Sequence, residues 1–244
     1  MEHENINAKN KAIWDTNASD WDQAMGEFGN DWHNQLIAPI TENLLNLKSG
    51  DQLLDIGCGN GIFARRMADK TVNVLACDFS SKLLKKARSY TTNNITYQEL
   101  DITNLNQLKS LKGKTYNGIA ANMVLMDLPH IEPIFSQISQ LLTPDGSFVL
   151  SIQHPSFNSE FTTVKKDSIQ ISDYNTISTS KGEAIKNQTE KQYYFHRPLS
   201  YYINMGSTYN LVTVECQEPT FTDSSKKIYS KIPPIIILKM KINK

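Results

Sequence analysis

Three glycines that follow an apolar run constrain this chain more than any other feature of its sequence. The run Leu53–Ile56 has the length of a buried strand, and Gly57, Gly59 and Gly61 come directly after it. Residues 62–68 then show apolar side chains at helical spacing. The pattern predicts a strand, a tight turn and a helix. Because glycine has no Cβ, a ligand can approach the main chain closely, and we expect one at this turn.

The spacing of the glycines separates two kinds of cofactor. Dinucleotide-binding enzymes use G-x-G-x-x-G at this position. Here the third glycine comes one residue early, and Ile62 stands where that pattern has glycine. The spacing disfavours a nicotinamide oxidoreductase, which remains one alternative.

Asp78 is the second candidate ligand-binding residue. It follows the β-branched run 72–76, about twenty residues past the glycine turn. An acidic residue at that offset binds the ribose hydroxyls of an adenosine cofactor, a charged hydrogen bond that contributes about 1.5–3 kcal/mol. This rule predicts an adenosine ribose without naming the cofactor. The competing interpretation is a surface aspartate that caps the next helix.

Strand-like and helix-like segments alternate along the rest of the chain. Residues 95–98, 116–125 and 147–150 predict further strands, and residues 81–88 and 131–142 predict helices between them. Residues 36–47 predict a helix ahead of the first strand. This alternation is typical of a doubly wound α/β sheet, in which ligands bind at the carboxyl ends of the strands.

The D-x-G-x-G-x-G sequence that begins at Asp55 resembles motif I of the class I S-adenosylmethionine-dependent methyltransferases, and the whole pattern is similar to their small-molecule type. The helix, proline-glycine turn and strand at 141–150 resemble a later block of that family, with Asp145 in place of a glycine. The resemblance runs from about Trp14 to the end of the chain. It implies a Rossmann-like sheet of seven mostly parallel strands, whose last strand, 235–240, is an antiparallel edge.

The resemblance also implies the cofactor, S-adenosyl-L-methionine, and the residues that bind it. In the family, the acidic residue of motif I serves the ammonium group of the cofactor, and the glycine loop lies under its methionine part. Acidic residues after the second and third strands hold the ribose and the adenine. The implied cofactor-binding residues are Trp14, Trp21, Asp55, Gly57, Cys58, Gly59, Asp78, Phe79, Asp101, Ile102, Asn122 and Met123.

The chain, residues 1–244, is predicted to be a single methyltransferase domain in four parts. Residues 1–47 form an N-terminal helical lid, 48–155 the cofactor-binding core, 156–198 an insertion after strand five, and 199–244 the rest of the sheet. Aromatic residues crowd the lid and the end of the insertion: Trp14, Trp21, Phe28, Trp32, Tyr193, Tyr194 and Phe195. We expect these two segments to enclose a small, partly aromatic or apolar acceptor. Two alternatives are that the aromatic residues only fill the core and that the insertion is a mobile surface loop.

Two histidines are the candidate catalytic residues. A hydroxyl, phenol or activated carbon must lose a proton when it is methylated, and histidine is the most frequent base. His154 follows strand five at the edge of the sheet where the methyl group is expected, and His196 belongs to the aromatic cluster that ends the insertion. No metal site is predicted, because Asp127 has no carboxylate companion after strand five and hard cations require several oxygen ligands.

Charge and cysteine content set the remaining expectations. Lysine plus arginine and aspartate plus glutamate number 25 each, so net charge gives no attraction to nucleic acid or membranes. Three scattered cysteines, no leader and no long apolar run predict a cytoplasmic protein without a membrane span. A small-molecule acceptor is the predicted partner. The alternatives are an RNA or protein methyltransferase and a non-catalytic protein that binds adenosylmethionine.

Overall fold

A seven-stranded sheet forms the centre of the protein, for which a computed structural model describes residues 2–90 and 93–244. The strand order is β3-β2-β1-β4-β5-β11-β10. Neighbours from β3 to β5 are parallel, and β11 is antiparallel to both β5 and β10. These strands are β1 (Gln52–Ile56), β2 (Asn73–Asp78), β3 (Ile95–Glu99), β4 (Tyr116–Asn122), β5 (Leu142–Gln153), β10 (Leu211–Gln217) and β11 (Ile235–Ile242).

This sheet confirms the predicted fold class, with two corrections. The antiparallel strand β11 is not an edge strand, because β10 pairs with it on the outer side. The predicted turn at 144–146 lies inside β5, where the pairing with β4 shifts from Leu142 to Ser147. The intervening residues therefore form an irregularity within the strand, and no separate loop precedes it.

The core lies on both faces of the sheet because neighbouring strand residues point to opposite sides. Leu54 packs into one cluster with Ile119 and Phe135, whereas Leu53 packs into the other with Phe63 and Ala120. Burying a leucine side chain stabilises the fold by about 2 kcal/mol. The apolar strands are thus fixed by burial on both sides.

Helices cover these faces and add the N-terminal segment. They are α1 (Glu2–Met25), α2 (Ala38–Leu45), α3 (Ile62–Ala68), α4 (Ser81–Ser89), α5 (Leu105–Leu108), α6 (Glu132–Leu141) and α7 (Leu199–Thr208). The helix predicted over 36–47 divides into a π-helical turn, Trp32–Ile37, and α2. Pro39 lies in the first turn of α2, where its missing N–H leaves no hydrogen bond unmade.

The insertion after β5 contains two antiparallel hairpins. Strand β6 (Thr162–Val164) pairs with β7 (Ile169–Ile171), and β8 (Ser178–Gly182) pairs with β9 (Gln192–His196). Strand β9 contacts α1 and the short 3-10 turn Leu125–Asp127 that follows β4. The insertion is thereby placed beside the carboxyl ends of the central strands. Within the described ranges, none of the helices is long and apolar enough to cross a membrane.

Candidate active site

Two neighbouring cavities lie at the carboxyl ends of β1, β2 and β4. The larger has a volume of about 790 Å³ and the smaller about 80 Å³. All twelve residues predicted to bind the cofactor line one or both of them. The smaller cavity contains Asp78, Phe79, Asp101 and Ile102, and the larger contains Asp55 and Cys58. The glycine turn borders both.

The glycine turn has the backbone that its sequence requires. Gly57, Gly59 and Gly61 have φ values of 65°, 56° and 81°, in the left-handed region that favours glycine. A Cβ on Gly57 would lie 2.5 Å from a methyl carbon of Val124, and one on Gly59 would lie 3.3 Å from Trp21 Nε1. Side chains from α1 and from the segment that follows β4 therefore approach this turn too closely for larger residues.

Asp78 connects the glycine turn to the next helix. Its Oδ2 accepts a hydrogen bond from the Gly59 N–H at 2.9 Å, and its Oδ1 accepts one from the Ser80 N–H at 2.8 Å. Burial raises the pKa of Asp78 to about 6, against the lowering effect of these N–H donors. The competing interpretation of Asp78 as a surface cap is wrong, since the carboxyl is buried and the Ser80 hydroxyl caps α4.

Asp55 is a buried carboxyl without a partner on one oxygen. It is 2% exposed, and Oδ2 has no hydrogen-bond partner among the described residues. Burial, with a smaller contribution from the Asp78 carboxylate, raises the pKa of Asp55 to about 8. An unpaired buried carboxylate is costly, so this position favours a cationic ligand group.

The ends of β3 and β4 supply the remaining polar groups of the two cavities. Asp101 Oδ2 accepts a hydrogen bond from Asn7 at 2.7 Å, and Oδ1 accepts from Thr103. Asn122 Oδ1 accepts from Thr41 and Ser151, while its Nδ2 is buried without a partner in the described structure. A hydrogen-bond donor and an acceptor, Asn122 Nδ2 and Asp55 Oδ2, are thus left unpaired at the larger cavity.

The aromatic residues of the N-terminal segment do not form one cluster. Trp14 and Trp21 meet edge to face at 5.4 Å and line both cavities. Trp32 lines only the larger cavity, and its ring packs edge to face against Phe221. Phe28 is 77% exposed, so the expectation that it encloses a ligand is wrong.

The structure places both predicted catalytic histidines away from the walls of the two cavities. His154 is 3% exposed, its Nε2 lies 2.8 Å from Glu218 Oε1, and its ring stacks on Phe157. The backbone N–H of His154 donates a hydrogen bond to the Pro234 carbonyl, just ahead of β11. His196 is fully buried, and its Nε2 bonds to the backbone carbonyl of Tyr174. Both rings thus have structural contacts, and neither lines either cavity.

Tyr194, one of the aromatic residues expected to enclose the acceptor, borders the larger cavity. Sequence reasoning missed other groups on the cavity walls: Asp127 borders both cavities, and Gln192 and His33 border the larger one. Burial lowers the pKa of His33 to about 4 and leaves its Nδ1 without a partner in the described part of the chain. For Asp127, the sequence did offer a signal, because the residue lies five positions past the end of β4, at the edge of the sheet where ligands bind. In the described ranges, histidine, cysteine and acidic residues form no cluster of three that could hold a metal.

Comparison with known proteins agrees with this architecture. Residues 28–197 match the family model described as a methyltransferase domain. The chain belongs to this family of methyltransferase domains. Among curated relatives, a ubiquinone biosynthesis O-methyltransferase of Xanthomonas axonopodis pv. citri is 25% identical over 103 residues, which cover 42% of this chain and 43% of that protein. The chain therefore spans less than half the length of the curated relatives that it matches.

Two solved structures share the fold of this methyltransferase domain. An S-adenosylmethionine-dependent methyltransferase from Mesorhizobium loti superposes with a TM-score of 0.67 at 21% identity, covering 83% of this chain and 95% of that one. The 1,6-didemethyltoxoflavin-N1-methyltransferase of Burkholderia thailandensis, solved with its substrate and S-adenosylhomocysteine, gives 0.57 at 14% identity, covering 96% and 88%. At these identities the two structures establish the fold of the domain and no more.

Proposed function

We propose that this protein is an enzyme that transfers the methyl group of S-adenosyl-L-methionine to a small-molecule acceptor. The observation that carries the proposal is the unpaired Asp55 carboxyl beside the glycine turn, together with Asp78 at the end of the neighbouring strand β2. Asp55 would hold the ammonium group of the cofactor, and Asp78 its ribose. When bound, the cofactor supplies an electrophilic methyl group.

The donor set fits this cofactor in charge as well as in position. A cation beside Asp55 would relieve the cost of burying that carboxylate, and Asn122 Nδ2 offers a donor nearby. Trp14, Trp21 and Phe79 supply apolar walls. Each oxygen of Asp78 already accepts a backbone N–H and retains a second lone pair for a hydroxyl.

The larger cavity supports a small acceptor. Its walls include Met25, Trp32 and Met126, together with residues of the insertion from Ser180 to Lys186. The ubiquinone-pathway and toxoflavin-type enzymes named above act, by their names, on small molecules, which supports the same class here. Residues 1–47 and 156–198 would act as the lid. Holding the acceptor against the methyl group accounts for most of the rate through effective molarity.

Net charge supports a small-molecule partner, and the state of the cysteines supports a cytoplasmic location, both of which we propose for this protein. The equal numbers of acidic and basic residues favour a metabolite over RNA. Cys58, Cys77 and Cys216 are free thiols, which is typical of a reducing cytoplasm.

Calorimetry and label transfer test the proposed function. We expect S-adenosylmethionine and S-adenosylhomocysteine to bind and NAD to show no measurable binding. A labelled methyl group should then pass to a metabolite extract. Tight NAD binding, or no binding of either sulfur compound, would overturn the proposal. Tight cofactor binding with no labelled product from any extract would instead favour a non-catalytic binding protein.

A further inference from the structure

Asp127 lies where the two cavities meet. It ends the 3-10 turn Leu125–Asp127 and borders both cavities, as do Gly59 and Asn122. Its side chain is 6% exposed. In the proposed function, the adenosine occupies the smaller cavity and the methionine part lies near Asp55 in the larger one. The sulfur that joins these two parts therefore belongs at this junction.

The carboxyl of Asp127 has a polar neighbour but no ion pair in the described ranges. The Gln192 side chain favours its ionised form. The buried Arg197 directs its guanidinium instead to the backbone carbonyls of Leu125, Leu128 and Pro129, at 3.2, 2.7 and 3.0 Å. Asp127 therefore lacks an opposite charge within the protein that would stabilise its ionised form.

Two distant segments hold the backbone that carries Asp127. Asn10 of α1 donates a hydrogen bond to the Asp127 carbonyl at 2.6 Å. Arg197, which follows β9, holds the carbonyls on both sides of Asp127. A reacting group must be held in a fixed position by its surroundings, and these bonds supply that support.

We propose that Asp127 accepts the proton that a hydroxyl or N–H acceptor loses when it is methylated. This inference rests on the proposed function. The acceptor oxygen or nitrogen forms a bond to the methyl carbon as the sulfur–methyl bond breaks, and that electron pair remains on sulfur. The acceptor proton moves to the Asp127 carboxylate. A sulfonium and a carboxylate are thereby replaced by a neutral thioether and a neutral carboxyl, so charge balances.

The burial of Asp127 connects this role to the charge of the cofactor. Burial raises the pKa of Asp127 well above its usual value, and the Gln192 side chain opposes this only in part. The other titratable groups that face it are Tyr194 of β9 and Tyr202 of α7, with Arg197 nearby. A positive sulfonium at the junction favours the carboxylate, whereas the neutral sulfur of S-adenosylhomocysteine does not. Binding of S-adenosylmethionine thus prepares the base.

Proton release on binding tests this inference without a known acceptor. Titration calorimetry in buffers of different ionisation enthalpy counts the protons released by each ligand. Near neutral pH we expect S-adenosylmethionine to release about one more proton than S-adenosylhomocysteine does. Both ligands carry the same ammonium group, so their difference isolates the sulfonium. Equal proton release by the two ligands would overturn the role of Asp127 and leave the proposed function standing.

Substitutions assign that proton to a residue. Asp127→Asn should remove the difference between the two ligands while still binding S-adenosylhomocysteine, which also shows that the variant is folded. Asp127→Glu restores a carboxyl and should restore part of the difference. Glu160→Gln is the matched control, because it removes a solvent-exposed carboxyl from the wall of the same cavity. A difference that persists in Asp127→Asn would contradict the inference, whereas failure of the wild type to bind either ligand would contradict the proposed function.

Discussion

At the scale of single residues, Asp78 has a structural contact and a proposed binding role at once. Its two oxygens accept the N–H groups of Gly59 and Ser80, which lie in two different loops. The carboxylate therefore fixes the glycine turn against β2 and places a further acceptor in the smaller cavity. Local sequence rules predicted its position because the offset from the glycine turn is set by one helix and one strand.

Asp78→Ala should weaken binding of S-adenosylhomocysteine by roughly 1–3 kcal/mol, since a charged acceptor and its two backbone bonds are lost. Calorimetry on the variant measures this directly. Asp145→Ala removes an exposed aspartate near the start of β5, at the other end of the strand from the cavities, and should leave the affinity unchanged. An unaltered affinity in Asp78→Ala would place the ribose elsewhere.

At the scale of elements, α1 is held by asparagines on its buried side. Asn7, Asn10 and Asn17 are all buried, and Asn10 and Asn17 bond to backbone groups of other segments. Asn17 Nδ2 donates to the Glu190 carbonyl at 2.7 Å, and its Oδ1 accepts the Glu190 N–H at 2.9 Å. Asp20 accepts two further hydrogen bonds from Thr189. Helix α1 and the insertion are thus joined beside the larger cavity.

Asn17→Ala should loosen the loop between β8 and β9, because the Glu190 backbone loses both of its partners on α1. Limited proteolysis should then cut within residues 183–191 several-fold faster than in the wild type. In the wild type, S-adenosylhomocysteine should slow cutting in the same loop. Ser19→Ala, on the exposed side of α1, is the control. Equal cutting rates for Asn17→Ala and the wild type would show that this contact does not hold the insertion.

At the scale of the whole molecule, the buried carboxyls make stability depend on pH. Folding raises the pKa of Asp55 from its ordinary value of 3.8 to about 8, and that of Asp78 to about 6. Between pH 3.8 and about 8, the folded protein therefore binds more protons than the unfolded chain does. The free energy of unfolding contributed by these groups is therefore fully present near pH 4 and falls as the pH rises toward 8.

Thermal unfolding of the ligand-free protein should show this dependence. We expect Asp55→Asn, which keeps the shape and removes the charge, to flatten the decline in melting temperature between pH 6 and 8, the raised pKa values of the two carboxyls. Asp145→Asn removes a fully exposed carboxyl and should reproduce the wild-type curve. A wild-type melting temperature that rises over this range would contradict the raised pKa of Asp55.

Local patterns in the sequence were sufficient for the fold class and for twelve residues on the walls of the cavities. Apolar runs such as Leu53–Ile56 have the length of strands buried between two helical layers, and Gly57 and Gly59 require a turn that few other residues can adopt. Because the carboxyl ends of parallel strands meet at one edge, residues following different strands were expected to converge there. The twelve predicted residues do lie at that edge.

Only the tertiary structure decided which polar side chains face the cavities. Asn10 reaches Asp127 across 117 residues, and His154 turns toward Glu218 across 64 residues. No periodicity or spacing encodes such pairs, because their partners are brought together by packing of distant segments. A histidine beside the sheet edge therefore became a buried structural residue, and an aspartate past β4 became the carboxyl at the junction of the cavities. The sequence determined the scaffold through local burial and turn geometry, whereas long-range packing decided the chemistry displayed on it.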